Sequence, residues 1–449
     1  MNAQKAEIQR IVKQEFPKIK SQEELLCLLN TIHELLYSCY FIKLNKPVPK
    51  IELKTLTYYK NNTKSGGKRY KTFAIKKKSG KDRIISAPAK GLKLIQQCLN
   101  EIFQTFYVPN ENACGFIPQH NITDGARQHV NMPYVLNIDL KDFFDTITFP
   151  RIKKVLSLPP FNLKDEREQV GYIITSLCCH PKEIRTIDAE GNEHVEMRNC
   201  LPQGAPTSPI LTNIVCCSLD RHLAGLARRF HAHYTRYADD ITFSCHYNIF
   251  KNDSDFMKEM YRIIEDEQHL TVNPDKTRLQ TLRQRQEVTG LIVNRKVNVT
   301  QRYLKQIRLW LHYWEIFGYN RAQNYFITQY AKYHVNFKNS KAVCIENVLG
   351  GKLDFMRMVV GDTNRAYKKL HARYEELLKN IVAKPQKSHL KDNASVTQPM
   401  YISTDDVIIP IPKNGPAFVA KEELEVMLDG LLSDLREEEE MKAFLSDLN

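Results

Sequence analysis

No apolar run in this chain approaches the roughly 20 residues that a membrane-spanning helix requires, so a helical membrane protein is not expected. A disulfide framework is missing as well. The eleven cysteines include the adjacent pairs Cys178-Cys179 and Cys216-Cys217, contain no Cys-x-x-Cys repeat, and are odd in number. With no secretory start, this points to reduced thiols in a cytoplasmic protein. Cys178, Cys179 and His180 have no second ligand pair at finger spacing, which argues against zinc. No internal repeat is evident, so repeat architectures are excluded. What the chain has in excess is positive charge, a net +14 with an isoelectric point near 9.1. Its end runs the other way: from Lys421 to Asn449, ten acidic residues face only Lys421, Arg436 and Lys442. The remainder is therefore more basic than the whole, which implies a polyanionic partner and binding that weakens with salt. Phe, Tyr and Trp make up 10% of the chain, enough for both core and base-stacking surfaces.

The most informative segment is Tyr237-Ala238-Asp239-Asp240. Adjacent carboxylates repel, and an apolar-flanked pair is kept where a cation sits between them or water solvates both. The flanks alternate, with Tyr234 and Arg236 before and Ile241 and Phe243 after, which predicts two strands with both carboxylates at the hairpin tip. About 100 residues upstream, Tyr134-Val-Leu-Asn-Ile-Asp139 reads as an apolar strand ending in a third carboxylate. If the two elements lie side by side, Asp139, Asp239 and Asp240 form the acidic cluster of a two-metal phosphoryl-transfer site, its ions roughly 3.5–4 Å apart. Mg²⁺ suits such oxygen ligands, with Mn²⁺ as a substitute.

These segments resemble motifs A and C of reverse transcriptases, and the intervening residues extend the resemblance in the expected order. Leu201-Pro-Gln203-Gly204-Ala-Pro-Thr-Ser-Pro209 resembles motif B, with Ser208 as a helix cap, Pro209 in the first turn, and Leu211, Val215, Leu219 and Leu223 at helical spacing. Upstream, the segment from Tyr70 to Pro88 reads as a basic hairpin around Ser79-Gly80 and resembles the fingers hairpin that clamps the triphosphate, with Lys76 and Arg83 as its candidates. The resemblance implies a metal set of Asp139, Leu140, Asp239 and Asp240. It implies Gln203 and Gly204 beside the incoming nucleotide, Phe144 beneath its sugar where a ribose 2′-hydroxyl finds no room, and Lys276 in motif D as proton donor to pyrophosphate.

Within that family, Val288-Thr289-Gly290 resembles the Val-Thr-Gly signature of retron reverse transcriptases, which copy part of a structured noncoding RNA into a branched RNA–DNA product. The second retron signature, Asn-Ala-x-x-His, is met in part: Ala126 and His129 fit, and Gly125 stands where asparagine is usual. Ala126, His129, Val288, Thr289 and Gly290 are therefore the candidate RNA-binding residues.

The expected class is α+β, a right-hand polymerase with fingers, palm and helical thumb plus a C-terminal extension. Helical spacing in 1–60 precedes fingers at 61–132, a palm at 133–298 and a thumb at 299–382. The stretch from Gly350 to Gly361 resembles a thumb pattern of retron and group II intron enzymes. Residues 383–420 read as a polar linker containing a short strand at 407–412, and 421–449 as an acidic amphipathic helix. That helix either packs on its own body or docks an effector protein or a second copy of the chain. The expected activity is RNA-directed DNA synthesis from deoxynucleoside triphosphates on a cognate noncoding RNA, yielding RNA-linked cDNA in antiphage defence. The alternatives are another defence-associated or group II-like reverse transcriptase, and a catalytically silent RNA-binding scaffold.

Overall fold

The computed structural model describes residues 3–43, 47–61, 69–76, 82–187, 193–333, 344–382, 401–404 and 407–410. The chain divides into two compact units, with the division after Asn298.

The first unit is built on a four-stranded antiparallel sheet. Two two-stranded hairpins come first in chain order: β1 (Tyr70–Lys76) with β2 (Asp82–Pro88), and, after β3 (Tyr134–Leu140), β4 (His180–Ile187) with β5 (Glu193–Cys200). The sheet itself takes β3 together with β6 (His233–Tyr237), β7 (Asp240–Cys245) and β8 (Val272–Thr281), in the order β6-β7-β3-β8. Val135, Leu136 and Ile138 are all buried, so β3 is covered on both faces, as its unbroken apolar run requires of a central strand. The helix Lys90–Phe106 buries Leu92, Ile95, Leu99, Ile102 and Phe103, a stripe at helical spacing. The N-terminal helices Ala3–Glu15 and Gln22–Lys43 bury Ile8, Val12, Leu25, Leu29 and Ile32 in the same core.

Local chemistry explains several boundaries. Asn121 and Asp124 form a reciprocal capping box that starts the helix Ile122–Arg127. Ser208 is not the cap of the helix Ser208–Val215: Thr207 occupies that position, and the Ser208 hydroxyl donates to the Pro202 carbonyl at 2.7 Å. The single helix expected through Leu223 is broken at Cys216, with a second helix at Cys217–Arg229, although Leu211, Val215, Leu219 and Leu223 are all buried. Strand β8 slips register between Asn137↔Arg278 and Asp139↔Asn273. Pro274 has no N–H to give the ladder, so the bulge falls there and carries Lys276 outward.

Two short strands, β9 (Glu287–Val288) and β10 (Leu291–Ile292), close the first unit around a two-residue turn. Thr289 and Gly290 have φ of 48° and 81°, both positive as a type I′ hairpin demands.

The second unit contains the helices Gln301–Tyr333, Ile345–Val360 and Arg365–Val382. The first is interrupted at Gly318 (φ 72°), and Trp310 is buried against Phe326. Within the stretch expected to be linker, β11 (Tyr401–Thr404) pairs with β12 (Val407–Pro410). The expected acidic helix at 421–449 lies outside the described residues. Among the described residues no helix is long and apolar enough to cross a membrane.

Candidate active site

Strand pairing brings the three carboxylates together. Asp139 is the register partner of Asp240, the first residue of β7, while Asp239 sits one step before it in the turn joining β6 to β7. Only Asp239 is therefore in the tip that was expected to hold both. Ala238, the other turn residue, has φ 55° and is buried.

Electrostatics within this cluster are unbalanced. Burial, then Asp239 and Asp139, push Asp240 up to about 7, with Arg278 and Lys276 opposing. Burial and Asp139 also raise Asp239, and Lys276 and Arg83 pull it back. Asp139 is engaged differently: Lys276 Nζ donates to both of its oxygens at 3.0 Å, and Asn273 Nδ2 donates to Oδ2 at 3.1 Å. Among the described residues, no three acidic, histidine or cysteine side chains enclose an ion as they stand. The donors are nonetheless hard carboxylate oxygens, which fits a divalent cation such as Mg²⁺ and not a thiol- or imidazole-seeking metal. Lys276 lies on the β8 bulge with its ammonium on Asp139.

Arg83 is exposed on β2, opposite Ile75 in register, and its charge reaches Asp239. The side chain of Lys76 and the hairpin turn 77–81 lie outside the described residues. Phe144 belongs to the short helix Phe143–Thr146, half-buried beside Phe143, and follows Asp142 in the left-handed region (φ 47°). Leu140 is buried, its N–H donating to the Asp239 carbonyl at 3.1 Å.

Gln203 and Gly204 meet strand β2. The Gln203 carbonyl accepts from Ser86 N–H at 2.7 Å. Gly204 has φ 122°, and a Cβ there would stand 3.0 Å from the Ser86 carbonyl oxygen. The close approach that glycine permits in the structure is thus to β2. A cavity of about 200 Å³ opens beside this junction, lined in part by Ile84, Ser86, Asp145, His180, Lys182 and Gln203. Lys182 closes on Asp145 at 2.6 Å.

The RNA-binding candidates divide. Ala126 and His129 are fully buried and present no surface to a ligand, which corrects the expectation of direct contact. His129 instead joins β6 to β7, with Nδ1 2.7 Å from Ser244 Oγ and Nε2 2.7 Å from Thr235 Oγ1. Burial holds its imidazole neutral, pushed down to about 3. Val288 is buried too, while Gly290 is exposed and Thr289 partly so.

Three residues beside the site escaped the sequence reading: Asn273 on Asp139, and the buried ion pair Arg236–Asp220 beneath the turn. The available signal was two opposite charges inside otherwise apolar elements.

The reverse transcriptase (RNA-dependent DNA polymerase) family model matches residues 75–308. Three relatives are retron reverse transcriptases. The Mx65 enzyme of Myxococcus xanthus is 36% identical over 54% of this chain and 55% of its own length. The Mx162 enzyme of the same organism is 33% identical over 50% and 47%. The Ec86 enzyme of Escherichia coli is 29% identical over 55% and 70%. The chain thus spans about half the length of the first two. With the family match covering more than half of its residues, and Asp139 paired with Asp240 while Asp239 sits in the adjoining turn, this chain belongs to the reverse transcriptase family.

Proposed function

We propose that this protein is an RNA-directed DNA polymerase that copies a cognate structured noncoding RNA into RNA-linked single-stranded DNA, serving antiphage defence. The observation that carries the reading is the Asp139↔Asp240 register with Asp239 in the adjoining turn: three carboxylates whose mutual repulsion is offset only in part by Lys276, Arg278 and Arg83. Such an arrangement is costly unless cations are bound. When bound, two Mg²⁺ ions activate the primer hydroxyl and stabilise the leaving pyrophosphate.

In this reading, Asp139, Asp239, Asp240 and the Leu140 backbone hold the ions. Arg83, with Lys76, grips the triphosphate. Phe144 underlies the sugar and excludes a 2′-hydroxyl, and Gln203 lies against the nucleotide. Lys276 turns from Asp139 to give a proton to departing pyrophosphate. The Thr289–Gly290 turn is the exposed part of the RNA-recognition set, with His129 and Ala126 supporting the palm from within. The unit 1–298 supplies fingers and palm, and the helices of 299–382 the thumb.

Protein purified with its RNA and given labelled dATP, dCTP, dGTP and dTTP should yield DNA, and Asp239→Ala should abolish it. Failure of the wild type to incorporate any nucleotide on co-purified RNA would favour an RNA-binding scaffold. Free cDNA without an RNA branch would favour a group II-like enzyme.

A further inference from the structure

Beneath the acidic turn lies a charged network to which the reaction as described gives no part. Arg236 is 1% exposed and Asp220 is fully buried. The guanidinium forks onto the carboxylate, Nε to Oδ1 at 2.7 Å and Nη2 to Oδ2 at 2.6 Å. Nη2 also reaches Asn213 Oδ1 at 3.2 Å, and Nη1 donates to the Ala238 carbonyl at 3.1 Å. Each partner is itself fixed: Tyr234 Oη donates to Asp220 Oδ1 at 2.8 Å, and Asn213 Nδ2 donates to the Gly115 carbonyl at 2.8 Å. The Arg236 backbone is clamped as well, its N–H on the Asn112 carbonyl and its carbonyl accepting from Cys114 N–H, both at 2.8 Å.

We propose that Arg236, oriented by Asp220 and Asn213, is a positioning residue for the Ala238–Asp239 turn, and that it sets how tightly the acidic site takes a divalent cation. Three observations converge. Ala238 holds a left-handed φ that a residue with a Cβ rarely adopts, so something must over-determine it. Its carbonyl receives the one guanidinium nitrogen not committed to Asp220 or Asn213. The 112–115 loop seals the other side, since a Cβ on Gly115 would stand 2.9 Å from Ala238 N and 3.2 Å from the Tyr237 Cα.

The network also connects elements that must agree in position. Asn213 lies on the helix that follows the Gln203 loop, Asp220 on the next helix, and Arg236 on the strand leading to Asp239. A buried ion pair is weak evidence for stability, because well-packed neutral residues often serve as well. Its particular gift is geometry: a planar fork with all three nitrogens assigned holds the turn at one distance from both helices. Groups that orient metal ligands without touching the metal typically change metal affinity by roughly 10–100-fold when removed.

The inference rests on the proposed metal-dependent chemistry, and its readout is kept separate from DNA synthesis. Binding of Mn²⁺ alone is followed by electron paramagnetic resonance, counting only the sites lost in Asp239→Ala. Arg236→Lys keeps the charge but loses the fork, and the paired Arg236→Met with Asp220→Asn removes the charge while leaving Tyr234 an acceptor. Either folded variant should bind Mn²⁺ roughly 10–100-fold more weakly. Arg167→Met serves as the control. Arg167 clasps the carbonyls of Phe16, Ile19 and Phe161, and its loss should lower the melting temperature without moving Mn²⁺ affinity. Affinity within twofold of wild type in a folded Arg236 variant would overturn the proposal. So would failure of both Arg236 variants to fold, which makes the pair a fold determinant, or a parallel loss in Arg167→Met. A wild type that binds Mn²⁺ at Asp239 yet makes no DNA counts against the polymerase reading and not against this one.

Discussion

Two hairpins of opposite charge, to which the proposed function gives the metal ions and the triphosphate, are built in opposite ways. The acidic one, β6–β7, has strands that are almost entirely buried, with side chains from two helices and the backbone of a loop holding Arg236, which in turn holds the Ala238 carbonyl. The basic one, β1–β2, leaves Lys71, Thr72, Phe73, Asp82 and Arg83 exposed. A metal site tolerates little positional error, because ligands a few tenths of an ångström astray no longer share an ion. A phosphate clamp made of long cationic side chains adapts to its ligand as it closes. Rigidity is placed where the charge density is highest.

That contrast can be broken or sharpened by experiment. The largest effect belongs to the acidic hairpin: Asp239→Ala should lower nucleotide incorporation on the order of 10³-fold, as expected when several kcal/mol of transition-state charge stabilisation is lost, measured in single-turnover assays. A residual rate within tenfold of wild type would remove Asp239 from the site. On the basic hairpin, Arg83→Ala should cost about tenfold, appearing in KM for the deoxynucleotide and growing smaller in high salt. Equal loss in kcat at saturating substrate would mean that Arg83 acts on the transition state and is no mere clamp.

Stability should separate the hairpins in the reverse sense. In magnesium-free buffer at neutral pH, Asp240→Asn relieves carboxylate repulsion and should raise the melting temperature by a few degrees, of the order of 1 kcal/mol. Arg83→Ala should leave it unchanged within about 0.5 kcal/mol, as for exposed residues generally. The finest test uses His129, which ties β6 to β7. Its folded imidazole stays neutral down to about 3, owing to burial and then to the nearby charge of His233. Between pH 6.5 and 3 the unfolded chain binds a proton there that the fold does not, so stability falls as pH drops through that window, at up to about 1.4 kcal/mol per pH unit. His129→Gln should flatten this part of the profile in urea melts. An unaltered slope would assign the acid sensitivity elsewhere, with His180, also pushed down to about 4, the next candidate.

The hairpin around Asp239 and the strand ending at Asp139 were legible because alternation and a bounded apolar run report local structure directly. Their adjacency was not in the pattern itself and came from the order of motifs. What stayed hidden had no periodic signature. Tyr234, Thr235 and Arg236 are consecutive and all buried, so period-two reasoning could not mark Arg236 as internal. The bulge that sets Lys276 on Asp139 was not legible either, since Asn273-Pro274-Asp275 interrupts the alternation of the strand. His129 was read as an RNA contact because it fits the retron signature; only packing reveals that both of its nitrogens are already engaged.

One consequence concerns anyone who would vary the Gln203–Gly204 loop by directed evolution. Gln203 gives β2 its backbone carbonyl, so every side chain at that position preserves the link to Ser86. Gly204 gives β2 its missing Cβ, and any replacement there must displace strand backbone. Position 203 is therefore open to a full library, while position 204, one residue away, should be left out of it.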